Sequence, residues 1–307
     1  MALELDDKLV VGISSRALFD LEVENEIYEK EGLKAYLKYQ IEHEDEILKP
    51  GAAFPLIKAL HKLNTEGNYR TEIIIMSKNN ADTSLRIFRS IDHYGLSISR
   101  AALVGGSSIA PYLNAFRTDL FLSANEKDVQ EAVNANIAAG IICSHSGLEI
   151  NPENDIPQIR IAFDGDAVIF SDESEKIFKE KGLAAFTEHE YKNAQKPLPE
   201  GPFAKLLKTI STIQRQFPEG EAPIRTALVT ARNAPAHERV VRTLRAWGVR
   251  IDEAFFLGGI NKCDVLKAFG AHIFFDDQQI HTEHASKVVP AARVPYKRNK
   301  KEDRIQP

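Results

Sequence analysis

The sequence predicts an α/β protein made of two similar halves from an internal duplication, each a parallel sheet flanked by helices. Three observations carry that expectation. Short apolar runs without clean alternation occupy residues 8–13, 72–77, 101–104 and 119–122, and again 159–163, 225–230, 253–257 and 271–275. Such runs suit parallel strands buried on both faces. Helical patterns, such as Asp82 to Tyr94 and Ala236 to Trp247, lie between them. The alternation gives a doubly wound sheet with its sites at the carboxyl ends of the strands. Finally, the chain matches itself at an offset of 150 residues, which becomes 153 after a short slip.

The match runs along the whole chain. Residues 8–19 align with 158–169, Glu31-Gly32-Leu33 with Lys181-Gly182-Leu183, and Leu56-Ile57-Lys58 with Leu206-Leu207-Lys208. Past the slip, Tyr94-Gly95 aligns with Trp247-Gly248, Val104-Gly105-Gly106 with Leu257-Gly258-Gly259, and residues 117–122 with 270–275. The expected organisation is a first half at residues 1–143, a polar linker at 144–157 and a second half at 158–307. A helical insert at about 171–201 follows the first strand of the second half.

Composition narrows the function classes. The 307 residues are 43% hydrophobic and 27% charged, as in an ordinary globular protein. A net charge of −5 gives no global attraction to nucleic acid or to an anionic membrane. The basic tail (Lys297, Arg298, Lys300, Lys301, Arg304) is mixed with Glu302 and Asp303 and reads as a solvated terminus. No run reaches the roughly 18 apolar residues of a membrane span. Residues 1–8 carry no signal-peptide pattern. Cys143 and Cys263 form no CxxC, which argues for a reducing compartment. The expected location is the cytoplasm.

The chemistry sits at strand ends in the second half. The strand at 159–163 runs into Asp164-Gly165-Asp166, and the strand at 271–275 into Asp276-Asp277. Two acidic pairs brought together would repel strongly unless they shared a divalent cation. Thr230 ends the second strand, and Lys262 opens a helix after Gly258-Gly259. The first half keeps the apolar frame and loses these groups. Ser14 stands for Asp164, Arg16 for Asp166, Ser77 for Thr230, Ile109 for Lys262, and Ser123 and Ala124 for Asp276 and Asp277.

Strand–Asp-x-Asp, strand–Thr, Lys and strand–Asp-Asp together resemble the haloacid dehalogenase superfamily of phosphatases. With Ser14-Ser15-Arg16-Ala17-Leu18-Phe19, Pro223-Ile224-Arg225-Thr226, Val229-Thr230-Ala231-Arg232 and Val294-Pro295-Tyr296, the chain is similar to the cytosolic 5′-nucleotidase type I family over roughly residues 8–296. The resemblance implies Mg²⁺-dependent hydrolysis of nucleoside 5′-monophosphates such as AMP. Asp164 would be the nucleophile and form an aspartyl-phosphate. Asp166 would be the general acid and base. Thr230 and Lys262 would hold the phosphoryl oxygens. Mg²⁺ would be bound by Asp164, by Asp166 through a nearby backbone carbonyl, and by Asp276 and Asp277, with Asp276 the direct ligand of that pair. The insert would act as a cap. By their position just past Thr230, Arg232 and Asn233 read either as contacts to phosphate or sugar or as solvated loop residues.

Rival readings remain open at this point. They are another phosphate monoester as substrate, transfer to a nucleoside acceptor, and a nucleotide-binding regulatory protein with little turnover. The first half reads either as scaffold or as a regulatory site. In the second reading Ser14, Ser15, Arg16, Ser77 and Asn79, with Ser107 and Ser108, would bind a nucleotide effector or phosphate without hydrolysing it. A homo-oligomer is expected on general grounds. His281 and His284 read as a surface pair, Glu42 to Glu46 as a solvated helix face, and Trp247 as core.

Overall fold

A computed structural model describes residues 5, 7–65, 68–143 and 148–297. Ten strands form one continuous sheet: β1 Leu9–Ile13, β2 Thr71–Ser77, β3 Arg100–Leu103, β4 Leu120–Ser123, β5 Ala138–Ile142, β6 Ile159–Phe163, β7 Ile224–Thr230, β8 Glu253–Phe256, β9 Ile273–Asp276 and β10 Ala291–Arg293. The order is β3-β2-β1-β4-β5-β10-β9-β6-β7-β8. From either edge inward, each half presents its strands in the same sequence. All neighbours pair parallel except at the centre, where β5 and β10 meet antiparallel with Ala292 opposite Ile142.

The expectation of two sheets is therefore corrected to one sheet with a seam. The seam strands, Ala-Ala-Gly-Ile-Ile and Ala-Ala-Arg, are too small-residue-rich to stand out as strands. Packing explains the smallness. A side chain at Gly140 would lie 2.9 Å from Ala292 Cβ and 3.1 Å from the Phe275 ring. Of the expected linker, residues 144–147 lie outside the described residues. In its described part, Lys58 and Lys62 of the first half hydrogen-bond Pro152 O and the Asp155 carboxylate. The basic tail from Arg298 onward also lies outside the described residues.

Helices cover both faces of the sheet. One face carries a core that crosses the seam. The helix Phe54–His61 packs against β6, and the helix Ala204–Gln214 packs against β1. Phe163, Phe203 and Phe275 form the aromatic centre of this core in the second half, with Phe163 and Phe275 stacked at 5.6 Å. The opposite face has a separate core in each half, around Phe121 in the first and Phe274 in the second.

Each half also carries a helical insert after its first strand. In the first it is Glu22–Glu31 followed by Leu33–Glu42, broken at Gly32 (φ 81°, ψ −179°). In the second it is Glu173–Lys192, broken at Gly182 (φ 78°, ψ −178°). Both breaks need a positive φ, which glycine adopts without steric cost. Short antiparallel bridges, Phe19 to Pro50 and Phe170 to Glu200, close the base of each insert. Gly201 sits at that base with no room to spare. A Cβ there would approach Phe170 O to 2.3 Å and Val168 O to 2.6 Å, both rigid backbone atoms. Gly201→Ala should destabilise the fold by about 1–3 kcal/mol, seen as a lower urea midpoint. An unchanged midpoint would show that the insert base yields freely.

Candidate active site

The carboxyl ends of β6, β7 and β9 lie side by side, and the sequence places an acid or hydroxyl at each. Phe163 hands the chain to Asp164, whose backbone N–H donates to Phe275 O at 2.8 Å and so stays in register with β9. After Asp164 the chain turns sharply, with Ala167 at φ 61°. Gly165 lets this turn approach β7: a Cβ there would lie 3.2 Å from Thr230 Oγ1. Asn261 caps the helix Lys262–Phe269 by accepting from Cys263 N–H, which sets Lys262 at the first helical position.

Asp164, Asp276 and Asp277 are all buried, and each offers an oxygen within 4.8 Å of the others. Lys262 Nζ, also buried, lies 2.8 Å from Asp164 Oδ1 and 2.6 Å from Asp276 Oδ2. One ammonium cannot neutralise three carboxylates. Burial, helped by repulsion from Asp276 and Asp166, pushes Asp164 up to about 7 against the pull of Lys262. Burial and the charge on Asp164 push Asp277 up to about 8. Asp276 goes the other way. Burial alone would raise it, but the His281 hydrogen bond and Lys262 hold it below the ordinary value. Asp164 Oδ1 has no well-aligned hydrogen-bond donor despite its ion pair with Lys262. A set of hard oxygen donors, over-charged and with one oxygen not hydrogen-bonded, fits a divalent cation such as Mg²⁺.

Asp166 is held apart from this group. Its carboxylate faces Arg232, which grips it with two bonds, Nε to Oδ2 at 2.8 Å and Nη2 to Oδ1 at 2.6 Å. Thr230 is buried, and its Oγ1 accepts from Arg232 N–H at 3.3 Å. Arg232 itself is buried and points inward rather than into solvent. Its third nitrogen meets Glu190 on the second arm of the insert. Glu190 is fully buried, and it also accepts from Arg239 Nη1 at 2.9 Å and Ser174 Oγ at 2.8 Å. Asn233 is exposed beside Gly258.

Sequence reasoning missed several groups here. Glu190 and Arg239 do not stand out in the sequence, because they meet their partners across separations of 42 and 49 residues. The Tyr296 hydroxyl lies within hydrogen-bond reach of Asp277 and, at 2.7 Å, of Glu175 of the insert, and can donate to either, so a residue late in the chain closes over the acidic group. His281 is corrected from surface to site: its Nδ1 lies 3.2 Å from Asp276 Oδ2, while His284 is exposed. The five-residue step from Asp276 to His281 across a helix start was the available signal.

In the first half, Ser14, Ser15, Arg16, Ser77 and Asn79 do gather at the matching strand ends. Ser15 Oγ lies 3.3 Å from Ser77 Oγ, and Arg16 makes two bonds to Glu22 at 2.7 and 2.9 Å. Ser107 and Ser108 are exposed, with Ser108 bonded to Glu131.

Comparison with known proteins decides the family. The 5′-nucleotidase family profile matches residues 1–301. The chain belongs to the 5′-nucleotidase family. The human cytosolic 5′-nucleotidase 1B is 40% identical over 292 residues. That alignment takes in 91% of this chain and 47% of the relative, so the chain spans about half the length of the curated relative it matches. Among solved structures, a histidinol dehydrogenase from Elizabethkingia anophelis aligns at 11% identity and a TM-score of 0.22, over 92% of this chain and 79% of that one. A likeness that weak carries no argument. No helix among the described residues of this 5′-nucleotidase family member is long and apolar enough to cross a membrane.

Proposed function

We propose that this chain hydrolyses nucleoside 5′-monophosphates to nucleoside and phosphate, in a Mg²⁺-dependent reaction through an aspartyl-phosphate on Asp164. The observation that carries the reading is the buried trio Asp164, Asp276 and Asp277 bridged by Lys262, in a chain of the 5′-nucleotidase family. A divalent cation held by Asp164, Asp276 and Asp277 supplies positive charge that neutralises the phosphoryl group.

The side chains divide the remaining work. Asp164 attacks phosphorus, and the bond to the nucleoside 5′-oxygen breaks. Lys262 and the Thr230 hydroxyl stabilise the phosphoryl oxygens. Asp166 gives a proton to the leaving 5′-oxygen and then takes one from the water that cleaves the aspartyl-phosphate. The Arg232 fork fixes the position of that carboxylate with one bond to each oxygen. The first step needs the fork to release one oxygen. We propose further that the two halves descend from one duplicated unit whose first copy lost its acids. The shared strand order and the matched glycine breaks support this.

The test is phosphate release from AMP, GMP, IMP, CMP, UMP and a sugar phosphate, with Mg²⁺ and with a chelator. Release from nucleotides that stops with the chelator supports the reading. Preference for the sugar phosphate, or no release at all, overturns it.

The acidic trio also sets a pH dependence. An acid whose folded pKa is raised binds more protons in the folded than in the unfolded state, so stability falls as pH rises. For Asp164 and Asp277 the fall runs from their ordinary value near 3.8 up to about 7 and 8. Metal-free protein should therefore melt progressively lower between pH 5 and 8, roughly the window those shifts define. Added Mg²⁺ should flatten that slope, because the cation binds the ionised acids of the folded state and so stabilises it most at high pH. A slope unaffected by Mg²⁺ would speak against a cation at this site.

A further inference from the structure

We infer that the first half carries a second ligand site, for a neutral, flat, nucleoside-sized molecule with hydrogen-bonding edges. A cavity of about 430 Å³ lies at the carboxyl ends of β1, β2 and β4, beneath the two arms of the first insert. That volume is within the range of small-molecule sites. Its floor includes the buried hydroxyls of Ser14, Ser15, Ser77 and Ser123. Its wall includes the rings of Tyr28 and Tyr36, which pack edge to face at 6.0 Å. Aromatic walls over a hydroxyl floor suit a planar body with polar edges.

Charge argues against an anion. Arg16 is held by Glu22 through two bonds, and Lys78 is paired with Asp128. The buried Glu24, which also lines the cavity, is paired with Arg86, and Arg86 in turn reaches Glu46. Each of these cations already faces a carboxylate. A phosphate entering here would have to compete with Glu22 or Asp128 for its partner. Among the described residues, the grouped metal-type acids lie in the other half, so no acidic trio offers a cation to bridge it. The expectation of a phosphate held by Arg16 is thereby refined to a neutral ligand.

One polar atom asks for such a ligand. Asn79 Oδ1 accepts from the Tyr36 hydroxyl at 2.9 Å, yet its buried Nδ2 finds no acceptor among the described residues. Buried donors are rarely left so. That nitrogen is sealed from solvent, so a turn of the Asn79 amide, which lines the cavity, would present it to a ring nitrogen or carbonyl on the edge of a nucleobase. The Tyr36 hydroxyl is itself positioned by Gln40 Nε2 at 3.0 Å.

Hydrogen–deuterium exchange on the full chain, in chelator so that no turnover occurs, locates the site. Adenosine and inorganic phosphate are the probes. Adenosine should protect peptides spanning 14–28, 33–40 and 77–83, and phosphate should not. Tyr36→Phe, which deletes one hydroxyl, should weaken that protection roughly five-fold in concentration dependence. Asn79→Ser serves as a second variant, and thermal melting checks that both fold. Protection by adenosine confined to 164–175 and 230–236, absence of protection, or protection of the first-half peptides by phosphate alone would each overturn the proposal. None of these outcomes bears on whether Asp164 carries out hydrolysis.

Discussion

Replacing Asp164 by Asn should lower phosphate release from AMP by at least about 10⁴-fold, as loss of a residue that acts as a unit with its neighbours does. The amide keeps the shape of the side chain and removes its nucleophilic oxygen. Stability should move the other way. Burial and neighbouring acids hold Asp164 up at about 7, so its ionised form is disfavoured even with Lys262 only 2.8 Å away. The attraction of one lysine is therefore smaller than the combined cost of burial and repulsion. A neutral Asn removes that cost, while Lys262 keeps Asp276 at 2.6 Å. Metal-free Asp164→Asn should melt higher than the parent at pH 8. Retained activity, or a lower melting point at that pH, would contradict this balance of terms.

Glu190→Gln should be among the most damaging substitutions for the fold. The carboxylate is fully buried, and it joins the second insert arm to two arginines from separate elements, Arg232 after β7 and Arg239 on the helix His237–Trp247. A glutamine leaves Arg232 with the Asp166 carboxylate alone and takes from Arg239 its carboxylate partner, its other bond being to Lys196 O. Breaking a buried pair by removing one partner costs about 3–5 kcal/mol. The exposed Glu188, paired with Lys192 one turn along, provides the control: Glu188→Gln should leave the melting point nearly unchanged. Activity should also fall in Glu190→Gln, because Arg232 also holds Asp166 through two bonds. That loss should fall on kcat more than on KM if Arg232 positions the acid rather than the substrate. Loss confined to KM would place Arg232 on the substrate instead.

The first insert repeats this arrangement with the acid moved. Arg86 occupies the place of Arg239, but its buried partner is Glu24 on the first arm, not a residue on the second. Each insert is thus tied to the helix after the second strand by an ion pair reached through different residues. The self-match of the sequence does not reveal such an exchange, because it aligns Glu24 with Ser174 and Gln40 with Glu190.

Legibility followed the strength of local signals. The strands that carry Asp164, Thr230 and Asp276 were legible because they are apolar runs ending in a polar residue. The seam strands were not, because close packing around Gly140 requires small residues that have little strand signature. The acids were visible by pattern, but their electrostatic state was not. That state depends on burial and on Lys262, His281 and Tyr296 converging from separate elements. Arg232 was read as a contact to phosphate or sugar or as a solvated loop residue, and only the three-dimensional placement of Glu190 and Asp166 gives it an internal role. In the first half the gathering of serines was legible, whereas the pairing of Arg16 with Glu22 was not.

The central claim is that Asp164 carries the phosphoryl group during turnover. The direct measurement is acid quenching of the chain during hydrolysis of AMP labelled in its phosphate, followed by mass spectrometry of the peptides. The label should appear, with the mass of one phosphoryl group, on the peptide containing Asp164 and should vanish in Asp164→Asn. Label on any other residue, or turnover without a trapped phosphoryl group under conditions that preserve acyl phosphates, would contradict the account.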